Sequence, residues 1–463
     1  MSSVFRHGAG RQATVFAAYS SILIAGSLVA GCATDPDNNN DNVGVAFSAL
    51  DQEANVTAVA GDPLPGISAA DFAAAKAAFA TVEGLDDGLG PIFNEKACGN
   101  CHTQGSIGGA GVQIERRFGR FDNGLFNSLA NKGGSLRQLF TVGSFTGSNG
   151  QACSVPLEVE PPEATVHNVG RLTTPLFGAG LIDAIPDSVI IANASAQSAS
   201  VRGVVNKVTV LLPQPGDTTQ SVGSTRVGRF GWKAGVATLV QFSADAYLNE
   251  MGITTQHCIA GQSVLSFATE SKPNGIAQPV GCDDRGAGGA GIPAGTDDGV
   301  GSCAGGLTEI QDDVELFADF MTFLAPAPRL PIDPFINLIG GTAFNNSGCA
   351  QCHLLKDYVT PAHPANGVPG NFTFRPRSDF LLHDIGTGDQ IGNDGETLAR
   401  TKMMRTAPLW GLHHRTKFLH DGSAATVVDA IHAHAGQATA SRQAFDNLSA
   451  GDRSAMLQAM LSD

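Results

Sequence analysis

Two five-residue motifs constrain this chain more than anything else in it. Cys98-Gly99-Asn100-Cys101-His102 and Cys349-Ala350-Gln351-Cys352-His353 are both C-x-x-C-H. At this spacing two thiols can add across the two vinyl groups of a haem, while the adjacent imidazole reaches the iron from the same short turn. A redox dithiol or half a zinc site also uses C-x-x-C, but neither needs a His directly after both pairs. The expectation is two covalently bound c-type haems. Cys98, Cys101, Cys349 and Cys352 hold the macrocycles, and His102 and His353 are the proximal iron ligands.

The two halves repeat beyond these motifs. Arg171 to Gly178 (RLTTPLFG) parallels Arg405 to Gly411 (RTAPLWG). Trp232 to Val240 (WKAGVATLV) parallels His420 to Val428 (HDGSAATVV) in the same order. Repetition argues for two related haem units. A helical stretch precedes each motif: 69–80, with Phe72, Ala75, Ala78 and Phe79 on one face, and 335–344. Ser449 to Asp452 reads as a capping box before an apolar stripe of Met456, Leu457, Met460 and Leu461. This order predicts a mainly α fold of two cytochrome c-like haem domains, 66–329 and 330–463. A small β-containing insertion is expected near 181–228, from its Val and Leu runs and its Pro213 to Gly216 turn.

Sliding the repeat places His434 opposite about Ala246. A His at the end of its helix can be a sixth ligand, and Ala cannot. The second haem is therefore expected to be six-coordinate and the first open to a small oxidant. His432, Met403 and Met404 compete with His434 for the ligand position. His420 reads as a hydrogen-bonding neighbour, and His413 and His414 as loop residues.

Of 463 residues, 43 are acidic and 28 basic, a formal charge of −15. With no basic run this excludes a nucleic-acid binder. The 57 Gly and 23 Pro predict a loop-rich chain. Residues 1–31 carry Arg6 and Arg11, then an apolar run from Ala13 to Ala30, and read as an export signal. Leu28-Val-Ala-Gly-Cys32 resembles the lipobox of bacterial lipoproteins. That resemblance implies lipidation of Cys32, a flexible polar tether over 32–65, and attachment to the outer membrane facing the periplasm or cell surface. Of the 9 Cys, Cys153, Cys258, Cys282 and Cys303 then remain. In an oxidising compartment four thiols suggest two disulfides. Three of the four lie in the Gly-rich stretch 258–306, so Cys153 is expected to pair with one of them.

Together these stretches resemble the bacterial di-haem cytochrome c peroxidase superfamily, closest to its di-haem oxidoreductase (thiol oxidoreductase) branch. Phe118-Gly-Arg120, Leu176 to Asp187, Arg229 to Ala234, Asn249 to Thr254, Arg405 to Leu412 and Phe418 to Gly422 carry it, over about 85–463. The resemblance implies Trp232 between the haems, with Gln241 and Glu250 over the open one. Glu250 would be the acid–base for O–O cleavage, and Gln241 would hold peroxide or water. It also implies one calcium ion between domains, whose ligands the sequence does not place, and a small redox electron donor of c-type cytochrome or cupredoxin type. His167 falls near a removable distal ligand of some relatives. Arg116, Arg117 and Arg120 could pair with haem propionates or form a solvated face. Rival expectations are a non-enzymatic electron carrier, a protein-modifying oxidase, and thiol oxidation. The last finds no free C-x-x-C, since both are assigned to haem.

Overall fold

The computed structural model describes residues 59–259 apart from 148, 149 and 216, the stretches 262–265 and 298–299 with Cys282, and 313–463. The expected export signal, Cys32, most of the tether and most of the Gly-rich stretch 258–306 lie outside the described residues. Among the described residues no helix is long and apolar enough to cross a membrane.

The chain enters with α1 (Ala69–Ala80). Ser68 caps it by accepting the Asp71 N–H at 3.4 Å, and Phe72, Ala75 and Phe79 turn inward, one turn apart on a single face. The first C-x-x-C-H follows as one helical turn, Cys98–Cys101. Next comes an antiparallel sheet built on β1 (Ile114–Asp122). It forms a hairpin with β2 (Leu125–Asn127) and is flanked by β3 (Ser135–Arg137) and β4 (Val166–Leu172). α2 (Leu239–Met251) and α3 (Asp313–Phe323) pack with α1 around Phe79, Tyr247, Phe317 and Phe320.

The second motif follows α4 (Pro334–Asn346), which Asp333 caps through the N–H groups of Phe335 and Ile336. α5 (Val427–Ala433) and α6 (Ala450–Ser462) come later. Ser449 caps α6 by accepting from the Asp452 N–H at 3.1 Å, and Met456 is fully buried between α6 and its neighbours. α4 and α6 approach so closely at Gly340 that a Cβ there would overlap the Ala455 carbonyl. That contact requires glycine.

The expected mainly α, two-cytochrome fold is corrected. About 33% of the protein is helical and 17% strand, in several small sheets, a mixed α/β architecture. Most of the unforeseen strand lies in 114–172. β1 reads Ile-Glu-Arg-Arg-Phe-Gly-Arg-Phe-Asp, half of it charged, and its buried residues are the adjacent Phe118 and Gly119. A register shift between Arg117 and Gly119 marks a bulge, which breaks the two-residue alternation that would signal a strand. The expected β insertion holds more helix than strand, in Ala179–Asp183, which begins just before it, and Asp187–Ala196. Its strands reduce to one ribbon, Lys207–Thr209 with Thr225–Val227.

The sequence repeat has a structural counterpart. A bridge Phe230↔Val236 precedes α2, and Phe418↔Ala424 precedes α5. In each case a Thr caps the following helix, Thr238 accepting from the Gln241 N–H and Thr426 from the Asp429 N–H. The larger core also takes in Tyr358, Phe374, Phe380 and Trp410 from the second half. Cys153 pairs with Cys282, Cα to Cα 5.5 Å, one of the three partners expected. The side chains of Cys258 and Cys303 are outside the described residues.

Candidate functional site

Two cavities of nearly equal size, about 200 and 180 Å³, are each walled by one C-x-x-C-H motif. In the first, Cys98, Cys101 and His102 share the wall with Phe79 and Phe317. In the second, Cys349, Cys352 and His353 share it with Phe344 and Met456. All four thiols are unpaired.

The two motif histidines are held alike. The Nδ1–H of His102 donates to the Gly109 carbonyl at 3.1 Å, and that of His353 to the Arg377 carbonyl at 2.9 Å. This bond fixes each ring and leaves Nε2 for a metal. Burial pushes both imidazoles down to about 4, so they are neutral at pH 7, the form that ligates.

Trp232 lies on the walls of both cavities. Its indole N–H donates to the Leu172 carbonyl at 2.8 Å, and its own carbonyl accepts the Arg405 N–H at 2.8 Å. Its counterpart in the repeat, His420, packs edge-on against it with ring centroids 6.4 Å apart. The pair forms the partition between the cavities.

Elsewhere on their walls the cavities differ. His434 lines the second, its Nδ1–H donating to the Ala430 carbonyl at 2.6 Å, which again leaves Nε2 free. Burial lowers its pKa. Ala246, at the matching place on α2, lines the first. There the polar groups are Glu250, Asp245 and Asn249 from α2, and Glu115 and Arg117 from β1. Glu250 accepts from the Asn94 amide at 3.0 Å and is hydrogen-bonded to Glu115. Burial, and then the Glu115 charge, raise Glu250 well above the usual carboxylate range. Burial also opposes ionisation of Glu115, but Arg117, 2.7 Å away, outweighs it and keeps Glu115 an anion. Two carboxyls in contact share one proton, and Arg117 decides that Glu250 carries it. Asp245 is pushed up to about 6 by burial.

The other expected residues separate. Gln241 is corrected: it is buried, its Oε1 accepts the Leu211 N–H at 2.9 Å, and it does not line the cavity. Nine residues from Glu250 is two and a half helical turns, so the two point to opposite faces of α2. His432 turns outward to Asp446 at 3.1 Å, and His167 to Glu160 at 3.0 Å. Met404 lines the second cavity beside His434, while Met403 packs its sulfur against Arg400. Arg120 pairs with Asp122, and Arg116 donates to the Asn168 carbonyl.

Sequence reasoning missed Glu115 and Asp245, and it gave Arg117 another role, as a propionate partner or part of a solvated face. Asp245 reaches the cavity wall from one turn before Asn249, about 140° from Glu250 around α2, so helical projection from Glu250 would not have found it. Glu115 and Arg117 depended on reading β1 as a strand. It also missed His383, which donates to Asp379 at 2.8 Å beside Cys352. Burial would lower His383, but the Asp379 carboxylate raises it to about 10.

Two cavities, each walled by a thiol pair and a neutral imidazole, present the groups that a haem-binding protein uses. Residues 158–463 match the family described as "Di-haem oxidoreductase, putative peroxidase". The chain belongs to the di-haem oxidoreductase family, and haem binding comes with that membership. No curated protein matches the chain. Among solved structures, a chain of Kuenenia stuttgartiensis hydrazine synthase pressurized with 20 bar xenon is 17% identical, with a TM-score of 0.23. The match covers 33% of this chain and 55% of that one.

The residues present fit haem. Besides the thiols and imidazoles, Arg415 on the second cavity's wall has Nε and Nη2 buried with no acceptor, as an anionic propionate would require. One set of hard oxygen donors that converges between the halves, Asp389 with the Thr401 and Met403 carbonyls, already surrounds the Lys233 ammonium and leaves no room there for a calcium ion.

Proposed function

We propose that this chain is a c-type di-haem peroxidase that reduces a peroxide in the first cavity with electrons received at the second. One observation carries the reading. The cavities match in size and motif and share Trp232, yet one has His434 on its wall with its motif histidine and the other has Ala246 with an acid pair.

In this reading Cys98 and Cys101, and Cys349 and Cys352, form the thioether links. His102 and His353 would each ligate an iron, and His434 would supply a second ligand at the second site. Bound, the haems supply one-electron redox chemistry. The net reaction is HOOH + 2 e⁻ + 2 H⁺ → 2 H₂O, with a small c-type cytochrome or cupredoxin-like protein as the electron source.

Glu250 holds a proton above the open face of the first cavity and delivers it to the outer peroxide oxygen, which leaves as water. Glu115 keeps the pair anionic, so the pair can accept the proton from the inner oxygen. Arg117 and Asn94 hold the two carboxyls in place. The low polarity that raises Glu250 also excludes competing solvent protons. Trp232 is the aromatic group common to both walls and offers the shortest path between them. On the second wall, His434 fills the position a peroxide would need. We also read Cys32 as a lipid anchor that keeps the protein at the outer membrane, facing the periplasm or cell surface.

The test is peroxide consumption by the haem-loaded protein with a small reductant, alongside electron paramagnetic resonance. Turnover with a high-spin ferric signal that peroxide abolishes is expected. No turnover with two unresponsive low-spin signals would instead make the chain an electron carrier.

A further inference from the structure

We infer that Lys233 is a built-in cation that ties the two halves together at Trp232, filling the place where a calcium ion could otherwise bind. The inference rests on the reading that Trp232 separates two haem cavities.

Lys233 follows Trp232 directly, but its ammonium reaches into the other half. Nζ lies 3.0 Å from Asp389 Oδ1, 2.5 Å from the Thr401 carbonyl and 2.9 Å from the Met403 carbonyl. One carboxylate and two backbone carbonyls are hard oxygen donors of the kind a calcium ion takes. Three donors also match what a primary ammonium can satisfy. The Lys233 side chain is 13% exposed and that of Asp389 is 1% exposed, so neither charge is left to water.

A second strand of the network closes it. Arg171, the last residue but one of β4, donates from Nε to Asp389 Oδ2 at 2.6 Å and from Nη2 to the Ile391 carbonyl at 3.1 Å. Its neighbour Leu172 accepts the Trp232 indole N–H and donates to the His420 carbonyl at 2.6 Å. Trp232, Leu172 and Met404 form a small apolar cluster. These bonds run from residues within one of Trp232 or Leu172 into the second half, or join Trp232 to Leu172. Asp389 carries both cations. Removing either leaves a buried group short of its partner, which is the costly way to break such a pair.

The groups facing Lys233 are Asp389, Arg171 and His420, with Glu396 further out. Lys233 acts through Trp232, so it is a positioning residue, and its test reads more than turnover. The haem-loaded, full-length protein is titrated with calcium chloride by calorimetry and then treated with a chelator. Its melting point and absorption spectrum are followed. Lys233→Met, which keeps length and loses charge, and Asp389→Asn are measured beside it. The native protein is expected to bind no calcium at the partition and to ignore the chelator. Lys233→Met is expected to melt several degrees lower. It should also lose the spectral response of one haem to reduction of the other. Calcium binding by the native protein that Asp389→Asn abolishes would overturn the inference. So would a Lys233→Met protein with native melting and native haem–haem response. Neither readout involves peroxide, so failure here is distinct from failure of the peroxidase reading.

Discussion

The two cavities began as copies and differ where chemistry needs them to. Each has the thiol pair, the buried neutral imidazole bonded through Nδ1 to a backbone carbonyl, and a Thr-capped helix facing it. On α5 that helix stops at His434. On α2 it continues to Met251, and the added turn carries Asn249 and Glu250 to the cavity wall. In the reading proposed above, the same scaffold gives a closed site when the helix is short and ends in His. It gives an open, acid-bearing site when the helix is longer and has Ala at that place.

Several substitutions would break or sharpen this contrast. The largest effect is expected from Ala246→His, which copies the second cavity into the first. Peroxide consumption should fall to background, and the high-spin signal should convert to low-spin. Glu250→Gln keeps the cavity's shape but removes its acid, and should lower the peroxide rate by roughly 10²–10⁴-fold. Spin states should stay unchanged, which separates lost proton transfer from a closed site.

Glu115→Gln is subtler. The Glu115 anion is one of the two forces that raise Glu250, after burial. A raised acid keeps its proton to higher pH, so activity should persist at neutral pH and fall as pH climbs past the raised value. Without the anion the Glu250 pKa drops, and that alkaline limb of the rate profile should move to lower pH. A profile that does not move would remove Glu115 from the account.

The smallest effects concern the matched caps. Thr426→Ala should cost about 0.5–2 kcal/mol in denaturant unfolding. Thr238→Ala should cost more, because the Thr238 hydroxyl is fully buried and also donates to the Leu212 carbonyl at 2.8 Å.

Local signals in the sequence translated well. α1 runs over the residues its Phe and Ala spacing indicated, α6 begins at its capping Ser, and the repeat placed Ala246 and His434 at matching points of two cavities. What was hidden depended on distant chain segments meeting. Glu115 and Arg117 reach the first cavity only because β1 pairs with β4, some fifty residues on in the chain, and a bulge removed the alternation that would have flagged β1. Gln241 was placed beside Glu250 by analogy, although helical geometry alone sets them on opposite faces. Lys233 was visible as a residue, but its three acceptors come from 389–403, and no local pattern links them.

The central claim is that one cavity is open and the other closed. Electron paramagnetic resonance of the haem-loaded protein, fully ferric and then half-reduced, tests it directly. The account predicts one high-spin and one low-spin ferric centre, with only the high-spin one changing when peroxide is added. It also predicts that His434→Ala converts the low-spin centre while leaving the other intact. Two low-spin centres, or a low-spin centre indifferent to His434→Ala, would contradict it.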